Sequence, residues 1–155
     1  MAKKKQILPS IQNRRARFDY TLHNELSVGI VLTGPEVKAA RNGNVSLKGS
    51  YVNVKNGELW LTNASFSVVQ TAPGESNRTI DTRPRKLLAS KHEITQLKAA
   101  KDQGLTIVPL SMTTKTHFIK LKISTAKGKK QYDKRETIKR RDIDREHKKM
   151  LNIKH

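Results

Sequence analysis

The sequence contains no cysteine. That removes disulfide frameworks and thiolate metal sites. Acidic residues are scarce, 13 against 32 Lys and Arg, so a two-metal carboxylate site is poorly supplied. No apolar stretch approaches the roughly 18 residues that a spanning helix needs. The start, MAKKKQILPSIQ, is basic but has no apolar segment long enough for a secretory signal. The basic stretches lack the Trp, Phe and Leu face of an interfacial helix. There is no glycine-rich phosphate loop and no HExxH, and His23, His92, His117, His147 and His155 are scattered without metal-ligand spacing. The expectation is a cytoplasmic protein with no membrane partner, no metal, no cofactor and no catalytic residue. An enzymatic role is kept only as a minor alternative.

What is present is positive charge, +19 in 155 residues. Such an excess gains a fold nothing, because self-repulsion destabilises the compact state. It suits a polyanion, above all nucleic acid, where each neutralised phosphate releases counterions. The charge is uneven. Residues 1–17 carry six basic residues and no acid, and residues 126–155 carry twelve basic and five acidic. The stretch between has the ordinary balance of a globular segment. The late cluster, Ala126-Lys-Gly-Lys-Lys-Gln-Tyr-Asp-Lys-Arg135, sets five cations around Gly128 and Tyr132. Gly128 permits close backbone approach and Tyr132 can stack on an unpaired base. Asn13-Arg-Arg-Ala-Arg17 and Arg83-Pro-Arg-Lys86 are two further clusters. A single run of this kind is as easily a solvated linker. Three around one small segment weigh against that.

The middle reads mostly as strands, at Phe18–Leu22, Val28–Leu32, Ser65–Val69, Leu105–Met112 and His117–Ser124. Between Ser50–Lys55 and Glu58–Thr62, Asn56-Gly57 supplies the two positive φ angles of a type I′ hairpin turn. Pro35 to Arg41 predicts a helix with Pro at its first turn. Ser90-Lys-His-Glu93 predicts another, through a capping box, with Gly104 to close it. Short strands with two helices suggest a small closed or partly open barrel. The last 20 residues have few apolar anchors, and disorder is expected there in the free chain, with helix on a partner. On the bare sequence, Tyr20 is a core residue or an exposed stacking platform, the core reading being favoured. Trp60 reads as sheet packing. Glu36 reads as a charge favoured by the helix dipole, or as a partner for Lys38 or Arg41.

Several ordered motifs carry a resemblance. They are Asn13-Arg-Arg-Ala-Arg-Phe-Asp-Tyr20, Gly29-Ile-Val-Leu-Thr-Gly-Pro-Glu-Val-Lys38 with Arg41 and Gly43, Ser50-Tyr-Val52, Gly57-Glu58, Arg85-Lys-Leu-Leu88 with Glu93-Ile94, Ala126-Lys-Gly-Lys-Lys130 and Tyr132-Asp-Lys-Arg135. Together they resemble the SsrA-binding protein (small protein B, SmpB) family of bacterial trans-translation, over nearly the whole chain. The sequence departs from the family pattern at Ser27, at Ala39-Ala40 and at Ala89.

The resemblance implies a mainly β fold: a small antiparallel OB-like β-barrel with two to three flanking helices and a disordered basic C-terminal tail. It implies a flexible basic arm over 1–12, an RNA-binding barrel over 13–130, and a tail over 131–155 that becomes helical on the ribosome. The implied partners are the tRNA-like domain of transfer-messenger RNA and the ribosome, for a monomer that delivers this RNA to stalled ribosomes. Asn13, Arg14, Tyr20, Glu36, Lys38, Leu87, Leu88, Lys127, Gly128 and Lys129 would lie at the RNA face. Asp133, Lys134 and Arg135 would begin a tail that probes the decoding centre and the empty message channel. The alternative kept open is a general ribosome-associated or assembly protein.

Overall fold

In a computed structural model, residues 10–72, 75–114 and 117–152 are described. The arm expected over residues 1–12 lies outside them as far as residue 9. Its last residues form a short strand, β1 (Ile11–Gln12), and a six-residue helix follows, α1 (Arg14–Asp19). This helix was not expected. It starts because Asn13 caps it, Oδ1 accepting from the Ala16 backbone N–H at 3.2 Å.

Next come β2 (Tyr20–Ile30), α2 (Gly34–Arg41), β3 (Val45–Ser46), β4 (Tyr51–Lys55) and β5 (Glu58–Thr62). Then follow β6 (Ser65–Ala72), β7 (Glu75–Asp81), β8 (Arg85–Leu88), α3 (Lys91–Asp102), β9 (Thr106–Thr113), β10 (Lys120–Gly128) and α4 (Gln131–Asn152). The chain is mainly β with four helices among its described residues.

A seven-stranded sheet runs in the order β1-β9-β10-β2-β8-β5-β4, all neighbours antiparallel. One further pairing sets Val52 of β4 opposite Ile107 of β9. β3, β6 and β7 form a separate three-stranded sheet against which α2 packs.

The local signals hold. Asn56 and Gly57 both have positive φ, 52° and 72°, as the hairpin requires. α2 opens with Thr33 donating its N–H to Glu36 Oε2 at 2.8 Å, and α3 with the Ser90–Glu93 capping box. One long strand replaces the two expected between Phe18 and Leu32. Its ladder with β10 runs from Tyr20 opposite Gly128 to Gly29 opposite Lys120. An irregularity between Ser124 and Ala126 absorbs the extra residue, and Thr125 Oγ1 accepts from the Asn24 N–H there at 3.2 Å.

β9 carries Pro109 in its interior, where a ladder N–H is missing. The register slips beside it, Lys122 facing Ser111 but Ile123 facing Pro109. The main core lies inside the large sheet and under α2 and α3, around Leu59, Leu61, Phe66, Leu121 and Ile123. A smaller cluster of Ala16, Val108, Leu110 and Ala126 lies beneath α1, with Tyr20 and Leu22 packed on it.

The tail, expected to be disordered in the free chain, is helical in this structure. Residues 131–152 form one continuous helix, about 33 Å long at 1.5 Å per residue. No residue of it is buried. Good helix formers carry it, together with an Arg145–Asp142 pair and a Thr137 hydroxyl bonded to the Asp133 carbonyl.

Candidate nucleic-acid interface

Two basic clusters more than a hundred residues apart in sequence meet at one end of the large sheet. The ladder between β2 and β10 sets Lys127 opposite Thr21 and Gly128 opposite Tyr20. Beyond it, the Lys129 N–H donates to the Asp19 carbonyl at 2.9 Å, and Lys129 Nζ reaches the Arg17 carbonyl at 3.4 Å. α1 is thereby tied alongside the end of β10. Arg14, Arg15, Arg17, Lys127, Gly128 and Lys130 are all exposed there, and Lys129 is half-buried.

Beside these cations opens a cavity of about 600 Å³, walled by Asn13, Arg15, Tyr20, Lys48, Tyr51 and Val108. Tyr20 falls between the two readings considered for it. It packs on the small cluster and is still half-exposed at this wall. An aromatic face, an exposed second tyrosine and nearby cations form a surface that can stack a base and hold its phosphate. Lys48 and Tyr51 were not anticipated. Their signal was weak: one lysine in a turn, and a tyrosine on the polar side of an alternating strand.

Asn13 serves this surface from beneath. Its Nδ2 donates to both the Leu47 and Pro109 carbonyls at 2.9 Å, and its backbone N–H donates to the Leu110 carbonyl at 2.8 Å. With Oδ1 capping α1, the buried amide fastens the helix to the irregular stretch of β9.

Glu36 is also buried. Oε1 accepts from Arg83 Nη2 at 2.9 Å and from Arg85 Nε at 3.0 Å. Arg85 itself is buried, its guanidinium 3.8 Å from the Phe66 ring centroid and bonded to the Ala64, Arg83 and Asp81 carbonyls. Burial pushes the Glu36 carboxyl up, but the Thr33 N–H and the two arginines outweigh it and hold the group below its ordinary value. The partners are therefore not Lys38 or Arg41. The Arg83–Lys86 cluster, read from sequence as part of the RNA grip, is largely spent inside the protein. Arg85 is enclosed, Arg83 serves Glu36 and Asp81, and Lys86 pairs with Glu58 at 2.5 Å.

Of the remaining expected residues, Leu87 is a core residue and Leu88 stands out, 53% exposed. Leu88 pairs with Gly29, where an added Cβ would stand 3.2 Å from the Leu88 Cβ. Leu88 shares a shallow groove with Val37, Phe118 and Lys120. Exposed Lys38 follows Val37 on α2. The expected RNA residues thus fall into two groups, one around Tyr20 and one around Leu88.

At the root of the tail, Asp133 and Arg135 are exposed, but Lys134 is half-buried and pairs with Asp19 at 3.2 Å. Trp60 lies half-buried between the fully buried Leu59 and Leu61. No helix among the described residues is long and apolar enough to cross a membrane.

The family described as SmpB protein matches residues 10–153. An SsrA-binding protein of Coprothermobacter proteolyticus is 50% identical over 137 residues, 87% of this chain and 91% of the relative. One of Streptococcus pyogenes serotype M3 is 46% identical over 144 residues, 90% of each chain. A solved chain from "tmRNA-SmpB: a journey to the center of the bacterial ribosome" aligns with TM-score 0.61 at 36% identity, over 79% of this chain and 86% of that one. A match of this extent and identity means that the chain belongs to the SmpB family of SsrA-binding proteins.

Proposed function

We propose that this protein is the RNA-binding adaptor of trans-translation. It binds the tRNA-like domain of transfer-messenger RNA and carries it to stalled ribosomes, so that the ribosome is rescued and the nascent peptide tagged. The observation that carries this is the convergence of Arg14–Arg17 with Lys127–Lys130 around the half-exposed Tyr20. Arg14, Tyr20, Lys127, Gly128 and Lys129 form the RNA face, with Lys38 and Leu88 on a second contact surface. Asn13, Glu36 and Leu87 act from within, by holding α1, α2 and β8 in place.

The β4–β9 pairing favours reading the large sheet as an OB-like barrel, since it brings the last strand back to an earlier one. The tail helix leaves from the RNA face with eight of the chain's basic residues on it and no apolar stripe. That suits a phosphate-lined channel better than a protein groove. In this reading α4 is the probe of the decoding centre and the empty message channel, and the protein acts as a cytoplasmic monomer without catalysis of its own.

Binding to the tRNA-like domain and to a bulk RNA of equal length, measured across a salt series, tests the proposal. An adaptor prefers the first at physiological salt. Equal affinities, with a salt slope explained wholly by about −0.7 to −0.9 per phosphate contact, would favour the general ribosome-associated reading instead.

A further inference from the structure

α4 has no buried residue, so apolar packing does not set the direction in which it leaves the large sheet. Two side-chain contacts reach it from the last turn of α1. Lys134 Nζ lies 3.2 Å from Asp19 Oδ1, and the Arg141 guanidinium stands 5.5 Å from the Phe18 ring centroid. Just before the helix, the Lys129 N–H is bonded to the Asp19 carbonyl. The other carboxylate oxygen of Asp19, Oδ2, accepts from Arg15 Nε at 3.1 Å. One residue therefore touches the RNA-facing helix, the end of β10 and the tail.

Its position is unexpected on local grounds. Asp19 ends α1, where the helix dipole disfavours a carboxylate. It is also the sole acid in the first 24 residues, amid Arg14, Arg15 and Arg17. A carboxylate there weakens phosphate attraction and does not help the helix terminate. Its arrangement makes sense if its partner is the tail. Burial raises its pKa, but the Lys134 and Arg15 hydrogen bonds more than offset this, so the group stays ionised and able to hold both cations.

We propose that Asp19 is a positioning residue: by bracketing Arg15 and Lys134 it fixes the angle of the tail helix to the RNA-binding surface. This rests on the adaptor reading and goes beyond it, since it couples the grip on RNA to the aim of the tail. A pair of this exposure is individually weak and screened by salt. The bracket therefore biases the tail towards one direction and can yield when the tail meets the ribosome.

The chain has no cysteine, so Lys55→Cys and Glu146→Cys give a clean pair of spin-label sites at the end of β4 and on α4. The wild-type background should give one narrow distance distribution. Asp19→Asn and Lys134→Ala should each broaden it, Asp19→Glu should restore it, and molar salt should broaden only backgrounds that keep the pair. In full-length protein, Asp19→Asn should leave affinity for the tRNA-like domain within about twofold and slow peptide tagging on stalled ribosomes by about two- to fivefold, the range an exposed pair is worth.

An Asp19→Asn distribution as narrow as the wild type's, or a wild-type distribution already as broad, overturns the proposal. So does broadening without slower tagging, or slower tagging that merely follows lost RNA affinity. Failure of the unsubstituted protein to prefer the tRNA-like domain is a different result. It removes the adaptor reading whatever the label distances are.

Discussion

Glu36 Oε1 accepts a hydrogen bond from Arg85 Nε at 3.0 Å, joining the first turn of α2 to β8 across 49 residues of sequence. Both side chains are enclosed, and Arg83 shares the same oxygen. Removing one partner of a buried pair leaves an uncompensated charge, at a cost of about 3–5 kcal/mol. Glu36→Ala should therefore lower the free energy of chemical unfolding by that amount. RNA affinity measured on the fraction that remains folded should change little, because the carboxylate is not at the surface. A loss of RNA affinity at unchanged stability would place Glu36 in the RNA contact itself.

The same carboxyl sets an acid limit. Its folded pKa lies below its ordinary value, and that of Asp19 does too. For a depressed carboxyl the stabilisation is complete above the ordinary, unfolded pKa and is lost as pH falls through the folded one. Urea midpoints should be flat from pH 7 to about pH 5 and fall below it. In Glu36→Gln the starting stability should be lower and the acid decline shallower. Equal declines in the two proteins would mean that other groups govern acid unfolding.

Tyr20 should contribute to RNA binding through its ring. Tyr20→Ala should weaken binding of the tRNA-like domain by about 1–3 kcal/mol, and Tyr20→Phe should retain most of that. Because Tyr20 also packs on Ala16, Val108, Leu110 and Ala126, the alanine variant loses some stability as well. The phenylalanine variant separates the two effects. Its affinity should stay near wild type if stacking dominates and fall with the alanine variant's if the hydroxyl matters.

Local chemistry was legible in the sequence, and long-range pairing was not. The Asn56-Gly57 turn and the Ser90–Glu93 capping box each need only residues within a few positions, and both form as expected. Arg85 was counted in a basic cluster because its charge is visible in sequence. Its enclosure depends on Phe66 and Glu36, which arrive from other elements. Asn13 holds the Pro109 carbonyl from 96 residues away, and nothing near either residue announces that bond. The tail illustrates the opposite limit. Its lack of an apolar stripe was correctly seen, but propensity and side-chain pairs along the helix were enough to form it. Of the proposed RNA face, the sequence supplied the basic clusters and the family motifs. The sheet register supplied their meeting.

The cations of that face should act as phosphate contacts and not as base readers. Lys127 is exposed beside Gly128, opposite the strand that begins at Tyr20. Lys127→Ala should weaken binding of the tRNA-like domain and of bulk RNA alike, and should reduce the salt slope by about 0.7 to 0.9. Arg14→Ala, on the other cluster, should behave in the same way. The double variant should approach the sum of the two slopes, since each side chain releases its own counterions. A variant that loses preference for the tRNA-like domain while keeping its salt slope would instead show that the residue reads a base or a shape.

Removing the tail separates the two ends of the molecule. Ending the chain after Arg135 keeps Lys127–Lys130 and the Asp19–Lys134 pair but removes most of α4. Affinity for the tRNA-like domain should stay within about threefold, because the loss of the distal cations removes only non-specific attraction. Stability should be nearly unchanged, since no described residue of the deleted stretch is buried. Tagging on ribosomes that lack message downstream of the decoding site should be abolished, because the deleted helix is the part proposed to fill that channel. Ribosomes carrying a long downstream message should be poor substrates even for the full chain, as message and tail would compete for one path. Efficient tagging by the shortened protein would place the ribosome-sensing element in residues 1–135, and the Leu88, Phe118 and Lys120 groove would become the first surface to mutate.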